Sequence, residues 1–223
     1  MSDTKEITSK VALVAGATGL IGHTLVKALL KQESYRQVIA LVRRPLGIEN
    51  DKLKEINVDF DTLGNLPPEV IVDTAFCCLG TTMKKAGSKE KFYKVDCTYV
   101  QYFAEYALRA GAKHFHLVSA LGSNKTSMFF YNRVKGEAEE FVRKMPFDKI
   151  LIYRPSLLLG ERQEARLGEG FAKMFNQLFS FLIPLRYRGI HADTVVAAML
   201  QSEKVAFGPT LQLLESEELQ TFH

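Results

Sequence analysis

The chain has 223 residues, a net charge of +4 and a hydrophobic fraction of 47%, the figures of one globular domain with a sizeable core. So small a cationic excess excludes an electrostatic nucleic-acid footprint, and no apolar run approaches the roughly 20 residues of a membrane span. Cys77, Cys78 and Cys97, without C-x-x-C spacing, argue against a disulfide framework and a zinc site; with polar residues 1–10 in place of a signal peptide, a cytoplasmic location is expected.

In chain order, the apolar run Val11–Ala15 passes into Gly16-Ala17-Thr18-Gly19-Leu20-Ile21-Gly22, and Ile21, Leu25, Ala28 and Leu29 then recur at helical spacing. Strand, glycine turn and helix form the setting of a phosphate site: glycine lets the backbone approach a pyrophosphate, and the helix offers unpaired N–H groups at its positive end. Gly16, Thr18, Gly19, Leu20, Ile21 and Gly22 are therefore candidate cofactor contacts. A second unbroken run, Gln37–Val42, suits a parallel strand buried on both faces. It ends at Arg43 and Arg44, about 20 residues past the glycine loop, where an acidic residue would hold the ribose of NAD. Arginine there suits the 2′-phosphate of NADP(H).

Glu55–Asp59 reads as a third strand, with Asp59 and Phe60 at the edge of an adenine pocket. Thr74–Leu79 reads as the fourth; its end should face the cofactor crevice and place Cys78, Leu79 and Gly80 there. Met83–Lys91 reads as a solvated basic loop, Phe92–Ala110 as one long helix stopped by Gly111, and His114–Ser119 as the fifth strand, with His114 and His116 structural on one face.

Ser119 ends that strand, and a helix over Met128–Lys144 carries Tyr131 and Lys135 four residues apart on one face. A phenol is a poor base at neutral pH, but a nearby ammonium favours the phenolate. Tyr131 is thus the candidate proton donor or acceptor, Ser119 the group that orients a substrate oxygen, and Lys135 the residue that tunes Tyr131 and reaches the ribose. Lys149–Arg154 is the sixth strand, followed by Pro155. Phe171–Leu185 reads as a helix that is part core and part lid. Asp193–Gln201 reads as a helix capped by Asp193, Leu211–Leu214 as a last strand, and Glu215–Glu218 as solvated.

Taken together, Gly16–Gly22, Ser119, Tyr131, Lys135 and Arg154-Pro155 resemble a short-chain dehydrogenase/reductase. Cys77–Thr82 with Lys85-Ala86-Gly87, Tyr131–Glu137 and Arg154–Arg166 are similar to the atypical Tat-interacting-protein oxidoreductase branch. The resemblance implies an α/β fold: a Rossmann-type doubly wound parallel sheet in one domain, with a small C-terminal substrate-side extension over about 155–223. It implies NADP(H) held by the glycine loop and Arg43, with Arg154 and Pro155 also beside the cofactor. It implies Ser119, Tyr131 and Lys135 as the catalytic trio. Many relatives carry an Asn in the fourth helix for a proton relay, whereas this chain reads Val95-Asp96-Cys97.

The expected activity is NADPH-dependent oxidoreduction of a small carbonyl or alcohol, by a monomer or homodimer with no nucleic-acid or membrane partner. The rival readings are an NADPH-binding redox sensor with little turnover and, against the grain of Arg43, a sugar-nucleotide epimerase.

Overall fold

A computed structural model describes residues 9–68, 70–159, 184–205 and 210–222. Lys10–Ala15 forms β1 and Tyr35–Val42 forms β2, both almost wholly buried. Unbroken runs of this kind place side chains alternately on the two faces, so both faces need a cover. The cover of one face is α1 (Leu20–Leu30) and a later helix over Ala192–Lys204. Ala12, Val14 and Val38 pack there with Leu25, Leu29, Val195 and Met199. On the other face Leu13, Ala15 and Ile39 meet Phe103, Ala107, Val134 and Ala138. Each fully buried Leu or Phe contributes about 1.5–3 kcal/mol, so the two apolar layers hold the sheet between them.

The remaining strands are β3 (Leu53–Asn57), β4 (Thr74–Cys77), β5 (His114–Val118), β6 (Lys149–Arg154), the short β7 (Leu158–Leu159) and β8 (Ile190–His191), and β9 (Leu211–Glu215). Among the described residues, five of these join β1 and β2 in one seven-stranded sheet in the order β3-β2-β1-β4-β5-β6-β9, and β7 pairs with β8 separately. All pairings are parallel, with Leu13 of β1 opposite Ile39 on one side and Ala75 on the other. The order reverses between β1 and β4, which opens a crevice at their carboxyl ends. The doubly wound Rossmann-type architecture expected from the sequence is the one observed.

Several expectations need correction. The basic segment Met83–Lys91 is solvated as expected but is not a loop. It holds α2 (Met83–Ala86) and the start of α3 (Lys89–Tyr93), capped by the Thr82 and Ser88 side chains. The long helix is interrupted: a π-helical turn over Lys94–Thr98 separates α3 from α4 (Tyr99–Arg109). The extra residue in that turn brings Asp96 and Cys97 into the interior, a distortion that recurs at functional sites. Asp193 does not cap its helix; His191 occupies the N-cap, and Asp193 lies in the first turn of α6 (Ala192–Lys204). Nor is Glu215–Glu218 a solvated tail. Glu215 ends β9 and forms a reciprocal capping box with Glu218 over α7 (Ser216–Leu219). Most of the Arg154–Arg166 stretch that carries the resemblance, from residue 160 on, and the expected Phe171–Leu185 helix except for its last two residues lie outside the described residues; Leu185 opens a 3-10 turn to Tyr187.

Candidate functional site

The glycine loop is built by close backbone contact. Gly16 has φ +81°, a conformation that glycine adopts without strain. A Cβ there would lie 2.3 Å from the carbonyl oxygen of Cys78, and one on Gly22 would lie 2.3 Å from the oxygen of Gly16. Side chains at either position would force β1, the tail of β4 and α1 apart. Gly19 is the N-cap of α1, without a side-chain cap and with no acidic residue in the first turn. The N–H groups of Leu20, Ile21 and Gly22 are thereby left to an anion. Thr18 is half-buried beside exposed Gly19 and Leu20, whereas Ile21 buries its side chain in the core and offers only its backbone.

Arg43 and Arg44 follow the end of β2 and are both exposed. Glu55 accepts the N–H of Leu46 at 3.0 Å, which ties down the loop after the two arginines. Asp59 Oδ1 accepts the N–H of Asp61 at 2.9 Å. Phe60 is buried, with its ring 5.6 Å from that of Tyr99, so its side chain packs in the core.

At the tail of β4, Cys78 and Leu79 are half-buried and Gly80 is exposed. Burial pushes the Cys77 thiol up to about 12 and raises that of Cys78 as well, so neither is a nucleophile at neutral pH. Across from this tail stands α5 (Phe130–Arg143), two residues shorter at its start than the sequence suggested. Lys135 is buried on it, and its Nζ lies 2.8 Å from Asp96 Oδ1. Asp96 Oδ2 accepts the N–H of Thr81 at 2.9 Å. A Cβ on Gly80 would be 3.4 Å from Asp96 Oδ1 and 3.5 Å from Lys135 Nζ. The structure therefore gathers Gly16, the Cys78–Gly80 tail and Lys135 in one place. Tyr131, one turn before Lys135, is 40% exposed, and its ring lies 5.5 Å from that of Phe92.

Ser119 is buried just past β5, and its N–H donates to the carbonyl of Tyr153 at 2.8 Å. Its Oγ lies 3.0 Å from Ser123 Oγ, while the Ser123 hydroxyl donates to the carbonyl of Ala120 at 2.7 Å. Since that uses the single proton of Ser123, the Ser119 hydroxyl donates to Ser123. The loop from Ser119 lies directly on α5. Asn124 N–H donates to the carbonyl of Asn132 at 3.0 Å, and Asn132 Nδ2 donates to that of Gly122 at 2.6 Å. Gly136 permits the contact, because a Cβ there would be 2.2 Å from the carbonyl carbon of Asn124.

Arg154 and Pro155, expected beside the cofactor, both contact the loop that follows β5. Arg154 makes four hydrogen bonds: two to Glu139, one to Glu215 and one to the carbonyl of Ser123. Pro155 is buried, and its carbonyl accepts the N–H of Leu121 at 3.0 Å. Both brace the Ser119 loop. Sequence reading missed four residues that shape the site: Asp96, Ser123, Gly136 and Glu139. Asp96 left a trace, since an acidic residue four after Phe92 and four before Val100 interrupts an apolar helical stripe. Ser123 left none. His114 and His116 are structural as expected; both meet Glu203, at 3.0 Å each, away from the crevice.

The family model of the NAD dependent epimerase/dehydratase family matches residues 12–177. Protein HTATIP2 of Rattus norvegicus is 38% identical over 217 residues, covering 95% of this chain and 88% of its own. The mitochondrial protein FMP52 of Candida glabrata is 30% identical over 222 residues, covering 96% of this chain and 95% of its own. MoeE5 in complex with UDP-glucuronic acid and NAD has the same fold at TM-score 0.67 and 19% identity, covering 92% of this chain and 75% of that one. WbmG of Bordetella bronchiseptica in complex with NAD does so at TM-score 0.69 and 13% identity, covering 98% and 77%. Among the described residues no helix is long and apolar enough to cross a membrane, and the mitochondrial label of FMP52 departs from the cytoplasmic location expected above. The chain belongs to the NAD dependent epimerase/dehydratase family, as an atypical short-chain dehydrogenase/reductase of the HTATIP2 type.

Proposed function

We propose that the protein is an NADP(H)-dependent oxidoreductase acting on a small carbonyl or alcohol. The observation that carries this reading is the meeting of Lys135 with the Cys78–Gly80 tail, itself packed on Gly16. That meeting joins a phosphate cradle to an ionisable pair. The uncapped N–H groups of Leu20, Ile21 and Gly22 would hold the pyrophosphate. Arg43 and Arg44 would hold the 2′-phosphate, since both are exposed and neither makes an ion pair among the described residues. A bound nicotinamide supplies or accepts a hydride.

The rest falls to the chain. Tyr131 passes a proton to or from the substrate oxygen, and the Ser119 hydroxyl, which donates to Ser123 in the free protein, rotates to donate to that oxygen instead. Lys135 Nζ, held beside Asp96 as an ion pair at 2.8 Å, turns its N–H donors to the ribose hydroxyls. Titration with NADPH and NADH, followed by a carbonyl screen with Tyr131→Phe as control, tests the reading. Binding with turnover that falls about 10²–10⁴-fold in Tyr131→Phe supports it. Tight NADPH binding with no Tyr131-dependent turnover would favour the redox-sensor reading.

A further inference from the structure

Asp96 is fully buried in the π-helical turn, with one carboxylate oxygen 2.8 Å from Lys135 Nζ and the other accepting the N–H of Thr81. A lone ammonium one helical turn from a phenol would stabilise its phenolate. An ammonium in contact with a carboxylate is a dipole, whose field at the phenol is weaker and falls off faster. Burial works against the charged form of Lys135, but the Asp96 carboxylate, with Tyr131, outweighs it and raises its pKa above the ordinary lysine value. Lys135 therefore stays charged.

The other ionisable groups around it do not change this balance. Cys77 faces the pair from β4, and Cys97 belongs to the same π turn as Asp96; burial pushes both thiols up, so both are neutral. Tyr93 interacts with Glu137 of α5, a contact that raises its pKa and keeps it protonated. Lys89 and Arg133 lie over the neighbouring Phe130 ring, at 5.6 and 5.8 Å. None of these replaces Asp96 as the carboxylate in contact with Lys135.

We propose that Asp96 is a positioning residue of this site: by pairing with Lys135 it pins the ammonium at the β4 tail and offsets its charge, so that Tyr131 is set to give a proton to a substrate oxygen rather than to take one. The proposal rests on the reading of Tyr131 as the proton-carrying group, and it assigns the site to reduction of an aldehyde or ketone. In that direction a C–H bond forms at the carbonyl carbon with the hydride of the reduced dinucleotide, and the C=O π pair moves to oxygen. The Tyr131 proton completes the hydroxyl, and the phenolate left behind is reprotonated from solvent, to which Tyr131 is open.

The test is the titration of Tyr131 in the cofactor-free full chain, by NMR of protein carrying ring-¹³C tyrosine. Among the 8 tyrosines, its signal is the one lost in Tyr131→Phe. In Asp96→Asn the titration should move to lower pH by on the order of one unit. In Asp96→Asn/Lys135→Met, which removes both charges and leaves neither orphaned, it should return close to wild type. A wild-type titration well below that of the double variant would mean the ammonium is felt unopposed and would overturn the proposal. So would a Tyr131 that stays protonated in Asp96→Asn to the same pH as in wild type. If Asp96→Asn does not fold, the comparison of wild type with the double variant decides alone. Since no cofactor or substrate is present, a failed search for turnover would count against the oxidoreductase reading and leave the titration result standing.

Discussion

Arg154 grips Glu139 with two parallel hydrogen bonds, Nε to Oε1 at 2.9 Å and Nη2 to Oε2 at 2.7 Å. The pair ties the end of β6 to α5, and the further bond of Arg154 to the Ser123 carbonyl, at 2.9 Å, carries the tie into the Ser119 loop. Glu139 is almost wholly buried, so removing the guanidinium leaves a carboxylate short of its partner. Arg154→Met should destabilise the fold by about 3 kcal/mol, the low end for breaking a buried pair, because Arg143 still reaches Glu139 at 3.3 Å. Denaturant unfolding measures the loss. NADPH affinity of the folded fraction should change little.

The buried cluster around Glu203 sets an acid limit. His116 is fully buried, between Glu203 at 3.0 Å and the Tyr153 hydroxyl at 2.9 Å. Burial, partly countered by Glu203, lowers its pKa, so the imidazole is neutral and carries its proton on Nε2. In the unfolded chain it takes up a proton near pH 6.5. A group depressed by folding contributes stability above its unfolded pKa and loses it as pH falls. Burial alone would raise the Glu203 pKa, but hydrogen bonds from His114, His116 and Lys10 hold its carboxyl well below the usual carboxylate range. That contribution is present above about pH 4.3 and is lost below it. Thermal melts should therefore show stability level from pH 8 to about 6.5, then falling, and falling more steeply below about pH 4.5. A midpoint unchanged between pH 7 and 5 would refute the assignment of a neutral His116.

Gly136→Ala tests how the Ser119 loop is seated. The added Cβ would lie 2.2 Å from both the Asn124 carbonyl carbon and the Lys125 nitrogen. Neither is the free end of a side chain, so the loop must lift off α5. Overpacking of this kind costs about 1–3 kcal/mol. Turnover should fall by more than cofactor affinity does, because the loop positions Ser119, whereas the pyrophosphate is held by the glycine cradle on β1 and α1. Comparison of kcat with NADPH Kd separates the two.

Arg43→Ala should weaken NADPH binding by about 1–3 kcal/mol, the worth of a hydrogen bond to a charged group, and leave NADH binding within error. Isothermal titration of both dinucleotides reads the difference. Equal losses for the two would show that Arg43 does not meet the 2′-phosphate.

The sequence determined the repeating apolar runs, the glycine cradle, and the order of Ser119, Tyr131 and Lys135. These are local: strand burial follows from unbroken Val, Ile, Leu and Ala runs, the turn from glycine spacing, and the Tyr131–Lys135 face from helix geometry. From them alone the parallel Rossmann-type sheet was legible. Only the tertiary structure decided which charges meet. Asp96 and Lys135 are 39 positions apart in sequence and come together because a π turn shifts the helix by one residue, something a regular 3.6-residue period cannot anticipate. Arg154, which the resemblance placed beside the cofactor, is held by Glu139 and Glu215. A carboxylate buried on a distant helix competes for a guanidinium as well as any phosphate does, and that competition is settled by three-dimensional distance, which linear spacing does not carry.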